Sequence, residues 1–278
     1  MKRGAATVPV ETFLEVVCAV HLASYVRGAF PERGGLMVAG PPGVLKSALL
    51  DVLDKTYPDA LKLSDVNMPT LIALRDQLST DTIRTLLIPD LAKLYERDPR
   101  TASNLEGTLR ALVAEGYTAA AFEDSRVSRF TARACVVAAL TPKLWSDKFA
   151  AWEDSGFSRR FLWALVRLKD PRVLDRAVER WRPLALRLGR HVALPALDRG
   201  IPNLVSPRSR RTLKALLKYQ PGGMHATQFA LLAKVLAVLT WHYRQTRRRG
   251  QPAERALDTL RVFAPCLGKE GAQLVVRE

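Results

Sequence analysis

Three cysteines and four histidines are all that 278 residues contain, and each scarcity excludes chemistry. Cys18, Cys135 and Cys266 are far apart and odd in number, which offers neither a disulfide framework nor a thiolate metal site. A reducing, cytoplasmic setting is the expectation. His21, His191, His225 and His242 include no pair at metal-ligand spacing beside carboxylates or thiols, so catalytic zinc has no support. No stretch approaches the roughly 18 apolar residues of a spanning helix, and the opening MKRGAATVPVETF lacks the apolar core and cleavage site of a secretory signal. No membrane association is expected. G-x-S-x-G is missing as well, which removes the serine-hydrolase reading.

Acidic residues are scarce in one half only. Residues 1–154 hold 18 Lys/Arg against 19 Asp/Glu, whereas residues 155–278 hold 25 against 8, so the net charge of +16 is carried by the second half. Such segregation gives that half a positive potential that attracts polyanions, most simply a nucleic-acid backbone. With 48% hydrophobic and 25% charged residues the chain is otherwise an ordinary globular mixture, long enough for one or two domains.

Periodicity divides the chain in the same region. Phe13, Leu14, Val17, Val20 and Leu22 predict a helix over 11–28, ending at the breaker stretch Gly28 to Gly35. Leu36 to Ala39 is a short apolar run between glycines, and Ser47 to Leu53 returns to helical spacing: strand, glycine turn, helix. Further buried strands are expected at Thr85 to Ile88, Cys135 to Leu140 and Phe161 to Leu168. A helix over about 101–115 is expected to open with the capping box Ser103-x-x-Glu106 and to close at Gly116. Alternating strands and helices predict an α/β domain with a mainly parallel sheet. Beyond residue 170 the pattern turns helical, with segments expected at 171–188, 208–219, 225–247 and 252–263. The tryptophans, Trp145, Trp152, Trp163, Trp181 and Trp241, sit in apolar-periodic segments and are read as core rather than as base-stacking platforms.

The most specific segment is Gly40-Pro41-Pro42-Gly43-Val44-Leu45-Lys46-Ser47, placed where a strand ends and a helix begins. Glycines let successive N–H groups curl around phosphate oxygens, and the helix N-terminus adds a favourable dipole. Lys46 is the residue to reach the terminal phosphates and the Ser47 hydroxyl the one to ligate Mg²⁺. The strict pattern has glycine where this chain has Leu45.

That variant resembles the phosphate loops of AAA+ ATPases in the MoxR, magnesium-chelatase and MCM group, which commonly read G-x-P-G-x-A-K-[ST]. The resemblance implies a P-loop NTPase domain over 1–170, a basic connector over 171–202 and a helical lid over 203–278. It implies ATP and Mg²⁺ as cofactors. Thr85 to Asp90 then looks like the Walker B strand, with Asp90 holding Mg²⁺ through water. The glutamate that normally follows is Leu91 here, which leaves Glu96, Glu106, Glu115 and Glu123 as candidate substitutes. Residues 117–133 fall where relatives in this group carry a β-hairpin, with Arg126, Arg129 and Arg133 available to a threaded polyanion. Thr141 is similar to the sensor-1 position, and Gly156 to Phe161 looks like the arginine-finger segment. Arg160 fits best by the phenylalanine after it, with Arg159 next. A neighbouring subunit supplies such a finger in AAA+ rings. For sensor 2, Arg208 in Ser206-Pro207-Arg208 is one alignment and Gln228 the other.

Taken together, these features predict an ATPase that assembles as a homo-oligomeric ring or arc. It is expected to engage nucleic acid, DNA before RNA, as a helicase-like motor, a helicase loader or a regulator of recombination or transposition, with a protein partner to give it a target. The alternatives are a MoxR-like protein remodeller and a nucleotide-binding switch with weak hydrolysis.

Overall fold

The computed structural model describes residues 7–26, 33–40, 46–123, 126–168, 205–217, 220, 225–245, 251–263 and 274–277. The strands are β1 Thr7–Pro9, β2 Gly35–Ala39, β3 Ala60–Lys62, β4 Thr85–Ile88, β5 Tyr117–Glu123, β6 Arg126–Ala132, β7 Cys135–Leu140, β8 Leu162–Leu168 and β9 Leu274–Arg277. The helices are α1 Val10–Ala23, α2 Lys46–Thr56, α3 Met68–Ala73, α4 Arg75–Ser79, α5 Ala92–Tyr95, α6 Pro99–Val113, α7 Pro142–Asp154, α8 Pro207–Leu217, α9 Ala226–Gln245 and α10 Pro252–Thr259. Single 3₁₀ turns follow at Ser158–Arg160 and Leu260–Phe263.

Five parallel strands in the order β8-β2-β7-β4-β3 make the centre of the sheet, and β9 and then β1 continue it beyond β8. Strands covered on both faces read as unbroken apolar runs, because each successive side chain meets a helix on one side or the other. In β2, Leu36 and Val38 join Cys135, Val137, Leu162 and Ala164 in one cluster, against α1, α2 and α8 to α10. Met37 and Ala39 join Val136, Ala138, Leu140 and Trp163 in the other, against α5 to α7. The result is a mixed α/β layer structure with a parallel sheet, as the alternation predicts. Trp145, Trp152 and Trp163 pack into one aromatic group, with ring centroids 4.4 to 5.9 Å apart, on that second face; Trp181 lies outside the described residues.

Several boundaries differ from the sequence expectation. The helix expected to open at Ser103 opens at Asp98, whose carboxylate accepts from the Thr101 N–H at 3.0 Å, with Pro99 at the first helical position. Aspartate followed by proline is the stronger start, since it supplies both an acceptor and a preset φ. Ser103 is inside the helix, and Glu106 accepts from the Tyr95 hydroxyl instead. The first helix stops at Ala23 and turns through Ser24, whose carbonyl accepts from Arg33 at 2.6 Å. The helix expected at 171–188 and the connector over 171–202 lie outside the described residues. The helices expected at 208–219, 225–247 and 252–263 are present as α8, α9 and α10 with its 3₁₀ turn. They share one hydrophobic cluster with α1 and the sheet. Residues 274–277, placed in the helical unit by the sequence reading, form β9 of the sheet.

Two glycines test this packing in opposite directions. A Cβ on Gly35 would sit 2.6 Å from the Val136 carbonyl oxygen and 2.6 Å from the Phe161 ring. Backbone of the neighbouring strand has no room to retreat, so Gly35→Ala is expected to cost more than about 2 kcal/mol. Gly107 sits inside α6 with nothing within 4 Å of an added Cβ, and Gly107→Ala is expected to stabilise by roughly 0.5–1 kcal/mol. Urea unfolding midpoints of the two variants check both signs.

Candidate functional site

Because every strand of the central sheet runs the same way, all C-terminal strand ends share one edge. In open α/β sheets that edge is where ligands sit. Gly40 follows β2 there, and its N–H donates to the Leu140 carbonyl at 3.0 Å, locking the ends of β2 and β7 together. Six residues later α2 begins at Lys46, with Ser47 next. The strand expected before the glycine loop and the helix expected after it are therefore present. Pro41, Pro42, Gly43, Val44 and Leu45 lie outside the described residues.

On the neighbouring strand, β7 runs into Thr141, which is the N-cap of α7 and accepts from the Leu144 N–H at 3.2 Å. One lone pair is used in this way, and the hydroxyl proton remains to be donated. One strand further, β4 runs through Pro89 into Asp90. The Leu91 N–H donates to the Ala139 carbonyl at 2.9 Å, and Asp90 Oδ1 accepts from the Ala92 N–H at 3.2 Å. These bonds pin the Asp90 turn against β7. Neighbouring strands are about 4.8 Å apart, so Asp90 and Gly40 are separated by about 10 Å with Thr141 between them. That gap suits an anion and a hydrated cation better than a direct contact. The Asp90 carboxylate is a hard oxygen donor of the kind that Mg²⁺ accepts through its own waters; the side chains of Lys46 and Ser47 lie outside the described residues. Among the described residues no cluster of three His, Cys, Asp or Glu forms a metal cage.

The structure also sorts the glutamate candidates. Leu91 is buried. Glu106 is engaged by the Tyr95 and Ser155 hydroxyls. Glu115 follows α6 at the opposite edge and acts on Arg160. The Glu123 side chain lies outside the described residues. Glu96, exposed at the end of α5, is the one that stays on the Asp90 edge.

At the other edge, Arg159 and Arg160 precede β8. Phe161 packs on Gly35 at the start of β2, which puts this turn at the far end of the central strand, roughly 16 Å from Gly40 for five residues of strand. Neither arginine reaches the Gly40 edge of its own chain. Arg160 donates to the Gly156 carbonyl at 3.1 Å, and both guanidinium groups converge on Gly156. The buried Nε of Arg160 has no hydrogen-bond partner. Burial and the positive charges of Arg110 and Arg159 hold the Arg160 pKa below its ordinary value, with Glu115 opposing. Burial and the charges of Arg159 and Arg160 lower the His225 pKa. The result is an under-compensated cationic cluster.

Sequence reasoning did not find what braces that cluster. Gln228 is fully buried and donates to the carbonyls of Phe161 at 2.9 Å and Ser158 at 3.3 Å, while Trp163 Nε1 donates to Ser158 at 2.8 Å. Gln228 is thus placed behind the arginine turn, not at the Gly40 edge. Arg208 lies on the surface, 76% exposed, paired with Glu254 of α10 at 2.8 Å. The expected hairpin is present as β5 and β6, with Glu123 opposite Arg126 and Ala120 opposite Arg129.

A second polar group is buried at the N-terminal edge. His21 Nδ1 and the Thr85 hydroxyl are 2.8 Å apart, and His21 Nε2 stands 3.6 Å from Asp59, which accepts from the Tyr25 hydroxyl. Acid, imidazole and hydroxyl are the parts of a hydrolytic relay. His21 and Thr85 have no exposure, so no substrate reaches them. Burial pushes the Cys18 and Cys135 thiols up to about 12, which leaves both protonated and unreactive at neutral pH. No described helix is long and apolar enough to cross a membrane. Compared with known proteins, the chain matches no family model and no curated sequence.

Proposed function

We propose that this chain is an AAA+-type P-loop ATPase that works on nucleic acid as a ring or arc of identical subunits. The observation that carries the reading is the convergence of Gly40, the Lys46–Ser47 helix start, Thr141 and Asp90 on one strand-end edge of the sheet. In this reading the loop Gly40 to Ser47 cradles the triphosphate of ATP, and Lys46 neutralises its terminal charge. Ser47 and Asp90 hold Mg²⁺, directly and through water. Thr141 donates its hydroxyl proton to the γ-phosphate or to the attacking water. Arg159 and Arg160 serve a neighbouring subunit, because their edge is the wrong one for their own. Nucleic acid is the chosen target on account of the cationic second half.

A second reading follows from one observation, the buried Leu91 where a water-polarising glutamate would stand: a nucleotide-binding switch that turns over slowly. ATPase turnover measured alone and with single-stranded or duplex DNA separates the two. Stimulation by DNA is the expected result. Tight ATP binding without turnover in any condition selects the switch, and turnover indifferent to DNA points to a protein-remodelling role.

A further inference from the structure

The surface of α8 is charged in a way that helix stability opposes. Pro207–Leu217 carries Arg208, Arg210, Arg211 and Lys214 and no acidic residue. Three of these arginines fall within its first five positions, where the helix dipole favours negative charge. Arg210 and Arg211 also stand one turn from Lys214, at the spacings where like charges repel. The apolar residues Leu213, Leu216 and Leu217 turn inward, and Arg210, Arg211 and Lys214 are all exposed.

Several cations of the first half are matched by carboxylates. Lys62 pairs with Asp51, Arg97 with Asp65, and Arg33 and Arg84 with Asp81. The acidic residues of α10 and its 3₁₀ turn are already taken, Glu254 by Arg208 and Asp258 by Arg261. Among the described residues nothing neutralises Arg210, Arg211 or Lys214. Local arrangements that run against stability are where a functional demand is expected to override it.

We infer that the exposed face of α8, through Arg210, Arg211 and Lys214, is the surface that grips a nucleic-acid phosphate backbone. The inference deepens the proposed nucleic-acid function and rests on it. Recognition here is of charge and spacing: Arg210 and Lys214 are about 6 Å apart along the helix, suited to successive phosphates rather than to base edges. The contact is therefore expected to be indifferent to sequence and steeply dependent on salt.

The test is fluorescence anisotropy of dye-labelled single-stranded and duplex oligonucleotides with the full chain, between about 50 and 200 mM salt. The triple variant Arg210→Ala, Arg211→Ala, Lys214→Ala is compared with wild type and with Lys55→Ala, Lys62→Ala, Arg100→Ala, which removes the same charge from the first half. Melting temperature and binding of a fluorescent ATP analogue confirm that each variant is folded. The α8 variant is expected to bind at least about tenfold more weakly and to flatten the log–log salt slope by about 2 to 3, with the control close to wild type. Wild-type binding with equal slopes in both variants overturns this surface and leaves the nucleic-acid function standing. Absence of wild-type binding overturns both. Binding displaced by polyglutamate as readily as by unlabelled DNA assigns the face to acidic protein instead.

Discussion

Chains carrying Lys46→Ala and chains carrying Arg160→Ala are each expected to be inactive as ATPases, and to recover activity when mixed. The first variant loses the cation that the proposed loop directs at the terminal phosphates. The second loses a guanidinium whose counterparts in phosphoryl transfer are worth about 10³ to 10⁵ in rate. The two residues sit at opposite edges of the sheet, so one chain cannot bring them together. In a head-to-tail assembly a Lys46→Ala subunit still presents Arg160, and an Arg160→Ala subunit still presents Lys46. Random mixing in equal amounts builds a complete interface in about a quarter of cases, and recovery should approach that fraction of wild-type turnover. No recovery on mixing, with both variants folded, would place the arginine outside the catalytic interface. An Arg159→Ala chain run through the same mixture decides which of the pair is the finger.

The second large effect belongs to stability. His21 is fully buried and its pKa is lowered from 6.5 to about 4, chiefly by desolvation and further by Arg84, with Asp59 opposing. Below pH 6.5 the unfolded chain takes up a proton that the folded chain refuses, so unfolding gains. The stability present above pH 6.5 falls with decreasing pH and is fully lost near pH 4, a loss of about 3 kcal/mol at 1.4 kcal/mol per unit. His21→Gln cannot titrate. Urea unfolding of the two chains at pH 7.5 and pH 5 should show a difference that shrinks as the pH drops. A constant difference would mean that His21 titrates in the folded chain as it does in the unfolded one.

The central strands were legible in the sequence for a physical reason. Leu36 to Ala39, Thr85 to Ile88 and Cys135 to Leu140 are covered on both faces, and such strands read as nearly continuous apolar runs, with Thr85 kept at a strand start by its bond to His21. Ala60–Lys62, Thr7–Pro9 and Leu274–Arg277 went unread because three or four residues are too few to show a period. Thr141 and Asp90 were readable as the polar residues that end buried runs. The bracing by Gln228 and the pairing of His21 with Thr85 and Asp59 were not. Those partners are 64 or more residues apart for His21–Thr85 and Gln228–Phe161, and only the completed fold makes them neighbours.

The pairing of β1 with β9 has a kinetic consequence. Thr7 stands opposite Val275, a contact between residues separated by almost the whole chain. Closing so long a loop is entropically dear and slow to search. During synthesis Thr7–Pro9 emerges long before its partner strand Leu274–Arg277 is made. Until Leu274–Arg277 arrives, the β8 edge that it covers keeps unpaired N–H and C=O groups, which is where a chaperone or a second nascent chain could take hold.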